Sequence, residues 1–124
     1  MILTEEEIQD LRNFVELLNS QKKSVVVVEG KRDSFALKKI GVTRKILEYH
    51  KFGGMINFVD SVAKHENLIF LFDGDRKGKQ LTCRAIQLLQ RRTSVDLTFK
   101  RKLTRITKGK IRFVEQLICF ESII

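Results

Sequence analysis

The chain has 124 residues, 43% of them apolar and 31% charged, which suits one folded domain with its own core and excludes a chain that is disordered throughout. No apolar stretch approaches the roughly 20 residues of a membrane-spanning helix, so a transmembrane protein is excluded as well. The net charge is +9, with 11 Lys and Arg against 12 Asp and Glu in residues 1–75, and 13 against 3 in residues 76–124. The basic second region indicates either solubility alone or a phosphate polyanion as partner, whether RNA, DNA or anionic lipid.

The beginning of the chain predicts a helix, a strand and a second helix. Thr4 is followed by three glutamates, which is typical of a helix start because the hydroxyl caps free N–H groups and the acids lie at the positive end of the dipole. Apolar residues on one face extend this helix over residues 5–19. Four consecutive valines within 24–28 predict a strand buried on both faces, as in a parallel sheet. Residues 31–39 follow as a short helix.

The rest of the chain continues the same alternation of strands and helices. In order, we predict a weak strand at 45–48, a helix at 55–64 with Ile56 inward, an apolar strand at 68–72, a helix at 79–91, a strand at 95–99, a loop at 102–110 and a closing helix at 111–120. Such alternation predicts an α/β fold of about four mostly parallel strands with helices on both faces. Since there is no proline, repeat or linker, one domain is expected to span residues 1–124.

The two cysteines bear on the environment of the protein. Cys83 and Cys119 form no CxxC motif, which predicts reduced thiols in a cytoplasmic protein and argues against a zinc site. Both are expected to be core residues.

Acidic residues follow both buried strands. Glu29 comes directly after the first, and Asp73 and Asp75 come directly after the second. In parallel sheets, ligands bind beyond the carboxyl ends of the strands, so these side chains are expected at one edge. Two carboxylates two residues apart suit a divalent cation such as Mg²⁺, and Glu29 would act either as a further ligand or as a general acid/base.

Cations and glycines surround these acids. The cations expected to hold phosphates are Lys31, Arg32, Arg76, Lys77 and Lys79. A metal site ringed by cations indicates phosphodiester chemistry. An acid after a strand is also a common helix cap, and this simpler interpretation stays open for Asp33 and Asp73. Gly30 and Gly78 are expected to permit tight turns.

These two motifs together resemble the Toprim domain. Val25–Val28 with Glu29 and Gly30 matches its first motif, and residues 68–72 with Asp73, Asp75 and Gly78 match its second. Bacterial-type primases, type IA and type II topoisomerases, OLD-family nucleases, the RecR recombination protein and the 5S-rRNA maturase share this domain. Among proteins with this domain, the sequence most resembles the small stand-alone Toprim proteins of archaea. The resemblance covers about residues 24–99, so the helix at 5–19 and the basic segment at 100–124 are additions.

The resemblance implies a Rossmann-like fold and specific roles. Glu29 would be the general acid/base, and Asp73 and Asp75 would be ligands of Mg²⁺, with Mn²⁺ as a substitute. Lys31 and Asp33 match a maturase-like extension, where phosphate contact and structural support are the implied roles. The only tyrosine is Tyr49, inside the domain, so neither a complete topoisomerase nor a complete primase is expected.

Two functions from different classes follow. The first is Mg²⁺-dependent endonucleolytic cleavage of structured RNA or of DNA. The second is a RecR-like module that binds nucleic acid or assembles with partners without catalysis. A protein partner or a second copy of the chain stays open in both cases. Loss of turnover in EDTA would identify the enzyme, whereas binding that weakens mainly with salt would identify the module.

Overall fold

A four-stranded parallel sheet forms the centre of the molecule. The computed structural model describes residues 3–121. The strands are β1 (Ser24–Val28), β2 (Ile46–Glu48), β3 (Asn67–Phe70) and β4 (Ser94–Asp96), in the spatial order β2-β1-β3-β4. Every pairing is parallel. This confirms the predicted fold class.

Five helices and two 3₁₀ segments connect the strands. The helices are α1 (Glu5–Asn19), α2 (Lys31–Lys39), α3 (Met55–Val62), α4 (Arg76–Leu89) and α5 (Thr98–Ile106), and the 3₁₀ segments are Tyr49–Phe52 and Val114–Phe120. None of the helices in residues 3–121 combines the length and the apolar character needed to cross a bilayer.

Alternate valines of β1 build the two halves of the core. Val26 and Val28 pack in a cluster with residues of α1, α2, α5 and the C-terminal 3₁₀ segment. Val25 and Val27 pack on the opposite face with residues of α3 and α4. All four are at most 7% exposed, and full burial of such a side chain contributes roughly 1.5–3 kcal/mol. The helices therefore cover both faces of the sheet, as the uninterrupted valine run predicted.

The helix α1 begins as the sequence indicates. The hydroxyl of Thr4 accepts a hydrogen bond from the Glu7 N–H (3.1 Å), and the Glu7 carboxylate accepts one from the Thr4 N–H (2.9 Å). Lys110 also donates to Glu7 at 2.9 Å. These bonds, led by that from the Thr4 backbone, lower the pKa of Glu7 to about 2. The Lys110 bond ties α1 to the segment that follows α5.

Predictions about one helix face and about the chain course after β4 are wrong. Ile56, expected to face inward, is 56% exposed. The buried face of α3 consists of Met55, Phe58, Val59 and Val62, and Ile56 lies about 100° away from Met55 around the axis. The predicted loop at 102–110 and the end of the predicted strand at 95–99 are largely replaced by α5, in which Phe99 and Leu103 are buried. Strand β4 ends at Asp96, whose Oδ1 accepts a hydrogen bond from the Thr98 N–H and turns the chain into α5, with Leu97 as the residue before the helix.

The C-terminal segment also differs from its prediction. The expected helix at 111–120 is a 3₁₀ segment that begins at Val114, with Val114, Leu117 and Phe120 buried at every third position. This spacing matches the three residues per turn of a 3₁₀ helix. Cys83 and Cys119, expected in the core, are both exposed. The described residues end at 121, so the last part of the predicted 100–124 addition lies outside them.

Candidate active site

The candidate site lies where the order of the sheet reverses. From β1 the chain crosses to β2 on one side, whereas β3 pairs with β1 on the other side. Val27 is in register with Phe70, so the β1–α2 and β3–α4 junctions emerge side by side. Such a switch point is where open α/β sheets bind ligands. The acids that follow the two strands meet there.

Glu29 reaches from the first junction to the second. Its side chain is nearly enclosed, with 7% of the residue exposed, and Oε1 accepts a hydrogen bond from the Asp73 N–H at 3.1 Å. Burial raises the pKa of Glu29, and the nearby charges of Asp73 and Asp75 raise it further. A carboxyl with a raised pKa holds a proton closer to neutral pH than an ordinary glutamate does.

Asp73 is half-buried and contacts the C-terminal segment. Its Oδ1 accepts from the Val114 N–H at 2.9 Å, and the next N–H, of Gly74, donates to the Arg112 carbonyl at 2.7 Å. Burial raises the pKa of Asp73, and the Asp75 charge adds to this effect. The segment after α5 thus holds the β3–α4 loop through one bond to the Asp73 side chain and one backbone–backbone bond, which the sequence motifs do not indicate.

Asp75 caps α4. Its Oδ1 accepts from the Gly78 N–H at 2.8 Å, which satisfies one of the free donors at the helix start. The capping interpretation and the ligand interpretation are compatible, because the cap engages one of two carboxylate oxygens. Asp73 does not cap α4, and its bond from the Val114 N–H likewise engages one carboxylate oxygen. Among residues 3–121, protein hydrogen bonds engage only Oδ1 of each of these two aspartates.

Gly78 is required by close approach rather than by its backbone angles. A Cβ at Gly78 would lie 2.1 Å from the Asp73 carbonyl oxygen and 2.8 Å from Glu29 Oε1. The missing side chain allows the first turn of α4 to pack directly against Asp73 and Glu29. Its role therefore differs from the expected freedom in a turn, since no positive φ is involved at Gly78.

The first junction has its own capping arrangement. Asp33 is 7% exposed, and its Oδ2 accepts from the Gly30 N–H at 3.2 Å. Burial, together with the charge of Asp73, raises the pKa of Asp33 to about 6. A Cβ at Gly30 would lie 3.0 Å from His50 Nδ1, so the side chain of His50 approaches this junction closely.

The predicted phosphate-binding cations fall into two groups. Arg76 and Lys79 line a cleft with Gly74 and Arg112, and Lys77 is close enough to Glu29 to oppose the rise in its pKa. These cations are exposed. Lys31 and Arg32 are also exposed, but they line a separate cleft on α2 with Phe35, Glu115 and Ile118. The structure therefore brings the α4 cations together with the acidic loop, residues 73–75, and places the α2 cations in a different cleft, against the C-terminal 3₁₀ segment.

A groove between α4 and α5 adds cations that sequence reasoning missed. Its volume is about 740 Å³, Asp73 and Gly74 lie in its wall, and its cations are Lys79, Lys100, Arg101, Arg105 and Arg112. The four cations not predicted belong to α5 and to the segment after it. The only sequence signal for them is the excess of Lys and Arg after residue 75. Their placement depends on α5 packing beside α4.

The donor set fits a hard divalent cation. Mg²⁺ usually takes one or two protein carboxylates and keeps several waters, and Asp73 and Asp75 each offer a carboxylate oxygen that no described hydrogen bond engages. The raised pKa of Asp73, due to burial and to the Asp75 charge, reflects negative charge that a cation would offset. Within residues 3–121 no group of three or more His, Cys, Asp or Glu side chains is gathered closely enough to form a cluster of ligands.

Comparisons with known proteins agree with the two motifs. The model of the Toprim domain matches residues 23–99. The chain is similar to a UPF0292 protein of Pyrococcus furiosus, with 34% identity over 95 residues, covering 77% of this chain and 72% of that protein. It is also similar to a UPF0292 protein of Archaeoglobus fulgidus, with 30% identity over 118 residues, covering 90% and 92%. The predicted likeness to small archaeal Toprim proteins is confirmed.

A solved structure has a similar fold. A putative protein from Aquifex aeolicus matches with a TM-score of 0.71 and 28% identity, covering 86% of this chain and 96% of that one. The likeness therefore extends beyond the motif core at residues 23–99 to most of the chain.

Proposed function

This chain belongs to the Toprim domain family, and we propose that it is a Mg²⁺-dependent enzyme that cleaves phosphodiester bonds in structured RNA or in DNA. The family itself supports a role in nucleic-acid processing and the binding of a divalent metal ion. The observation that carries the finer proposal is the junction of the two acidic loops, where buried Glu29 accepts a hydrogen bond from the N–H of Asp73.

Glu29 is the group that moves a proton in this proposal. It is held in one orientation by the Asp73 N–H, and its burial keeps bulk water away from most of the side chain. A buried carboxyl in a fixed position is suited to give a proton to a leaving oxygen or to take one from an attacking water.

Asp73 and Asp75 are the residues that would hold the metal ion. The backbone fixes both side chains, through Val114 N–H and Gly78 N–H respectively. When bound, the ion supplies Lewis-acid stabilisation of the charge that develops on the phosphate oxygens. The exposed cations Lys31, Arg32, Arg76, Lys77 and Lys79 would contact the phosphate backbone, with Asp33 holding the first junction through the Gly30 N–H. Cytoplasmic location stays a prediction.

The test is a cleavage and binding assay on end-labelled structured RNA and on single- and double-stranded DNA. Wild type is compared with Asp73→Asn/Asp75→Asn in Mg²⁺, in Mn²⁺ and in EDTA. Products that require the metal, and that the double variant does not make, are the expected result.

One result would instead identify the protein as a nucleic-acid-binding module without catalysis. If wild type binds nucleic acid with a steep salt dependence but makes no product in either metal, and the double variant binds equally well, the protein is a binding module. In that case the acidic loops serve as helix caps, and affinity comes from phosphate contacts alone.

A further inference from the structure

Lys100 is a cation placed directly over the acidic loop by a helix outside the two sequence motifs. It belongs to the first turns of α5 and is half-buried. Its Nζ lies 3.6 Å from the position that a Cβ on Gly74 would occupy, which is between Asp73 and Asp75 in the chain. The absence of a side chain at Gly74 leaves the space in front of this ammonium open.

The ammonium of Lys100 has no direct partner among the described residues. No carboxylate in residues 3–121 lies within 4.0 Å of its Nζ, and it makes no hydrogen bond there. A partly buried charge without a partner is costly. Burial correspondingly lowers the pKa of Lys100, whereas the charges of Asp73, Glu29 and Asp75 oppose that effect. The site therefore holds an ammonium that lacks an anion in contact with it.

The groove between α4 and α5, which Lys100 lines, is strongly cationic. Its wall contains five cations, and Asp73 is the one acid among its lining residues. Most of its cations are arginines, and Arg is well suited to phosphate because its planar fork donates two parallel hydrogen bonds. The groove thus combines a wall of positive charge with the acidic residue Asp73.

We propose that Lys100 binds the phosphate group on which Glu29 acts, and that the polynucleotide backbone continues from it through the groove between α4 and α5. This inference rests on the proposed function and adds to it the position of the substrate. Lys100 approaches the phosphate from the α5 side, across Gly74. Arg105 and Arg112, which also line the groove, contact the neighbouring phosphates.

The first test separates binding from turnover by kinetics. Lys100→Ala is expected to lower kcat by about 10- to 100-fold, because a charge-assisted hydrogen bond to the reacting phosphate is lost. Lys100→Arg should recover part of this loss. Arg105→Ala and Arg112→Ala should mainly raise KM. The matched control is Lys102→Ala, since Lys102 lies on the same helix but lines a cleft against α1.

The second test does not depend on catalysis. The side-chain NMR signals of lysine are followed while an oligonucleotide is added in EDTA, with the Lys100 signal assigned through Lys100→Arg. The Lys100 signal should shift, and that of Lys102 should not.

The outcomes distinguish the two proposals. Cleavage that needs Asp75 but proceeds at the wild-type rate in Lys100→Ala overturns this inference and leaves the proposed function intact. A Lys100 shift in a protein that cleaves nothing supports the phosphate site and overturns the nuclease. Absence of both the shift and cleavage overturns both.

Discussion

The β1–α2 and β3–α4 junctions have a similar sequence of acids and glycines but differ in how deeply their acids are buried. In both, an acid and then a glycine follow a buried strand, and a carboxylate accepts a backbone N–H at the start of the next helix. At the first junction both acids, Glu29 and Asp33, are buried. At the second junction Asp73 and Asp75 are partly open to solvent.

This difference divides the chemistry of the site. A buried glutamate with a raised pKa is suited to hold and release a proton, whereas partly open aspartates that use one oxygen on the backbone keep another for a cation. The longer side chain also lets Glu29 cross from one junction to the other and accept from the Asp73 N–H. We therefore expect the first junction to handle the proton and the second junction to bind the metal ion.

The largest expected effect on stability comes from adding a side chain at Gly78. Gly78→Ala should destabilise the fold by about 3 kcal/mol or more, because overpacking against a backbone that cannot yield is costly and its Cβ would lie 2.1 Å from the Asp73 carbonyl oxygen. Gly30→Ala is the matched control. Its Cβ would meet the exposed His50 side chain, which can rotate away. Urea unfolding of both variants measures the difference, and equal losses would contradict the packing described at Gly78.

The next effect is stabilisation by the metal ion. Mg²⁺ at 100 times its Kd should stabilise the folded protein by about 2.7 kcal/mol, and a thermal melt should record this as a rise in Tm. Asp75→Asn should remove the rise while keeping the cap of α4, because asparagine caps helices as well as aspartate does. A full rise in Tm in Asp73→Asn/Asp75→Asn would show that the ion binds elsewhere.

A smaller effect concerns the pH dependence of stability at the first junction. The folded pKa of Asp33 is about 6, above the value of about 3.9 for an unfolded chain. The stability contributed by protonating Asp33 is therefore complete below about pH 4 and is lost as the pH rises through about 6. Asp33→Asn keeps an acceptor for the Gly30 N–H and cannot ionise, so at pH 7.5 in EDTA it should be about 1–2 kcal/mol more stable than wild type.

The measurement is urea unfolding of both proteins between pH 4.5 and pH 7.5. The difference between them should shrink as the pH falls. Part of the slope should persist in the variant, because Glu29 and Asp73 also have raised pKa values, chiefly from burial. A difference that does not change with pH would mean that Asp33 does not titrate in this range.

Local patterns were sufficient for much of the fold. Four valines in a row predicted a central strand covered on both faces, and Thr4 with Glu7 predicted the start of α1, because both signals act over a few residues. The region of α5 was misread because its β-branched and apolar residues at 95–99 also suit a strand. The turn that ends β4 is local, since Asp96 accepts hydrogen bonds from the N–H and the hydroxyl of Thr98.

Some residues of the candidate site could also be predicted from the sequence, and others could not. The acids at the strand ends could be found because parallel strands bring their carboxyl ends to one edge. Lys100 could not be predicted as part of the site, since it lies 27 positions after Asp73 and reaches the loop only through the packing of α5. The bonds from Val114 N–H to Asp73 and from Gly74 N–H to Arg112 use backbone atoms, which no residue pattern reveals.

The most direct test of the central claim compares Glu29→Gln with Asp75→Asn in two assays on the same samples, Mg²⁺ binding by calorimetry and metal-dependent cleavage. We expect Glu29→Gln to bind Mg²⁺ nearly as wild type does but to cleave about 10²- to 10⁴-fold more slowly, the usual contribution of general acid–base catalysis. We expect Asp75→Asn to lose both binding and cleavage. Wild-type cleavage by Asp75→Asn, or loss of Mg²⁺ binding in Glu29→Gln, would contradict the division between the two junctions.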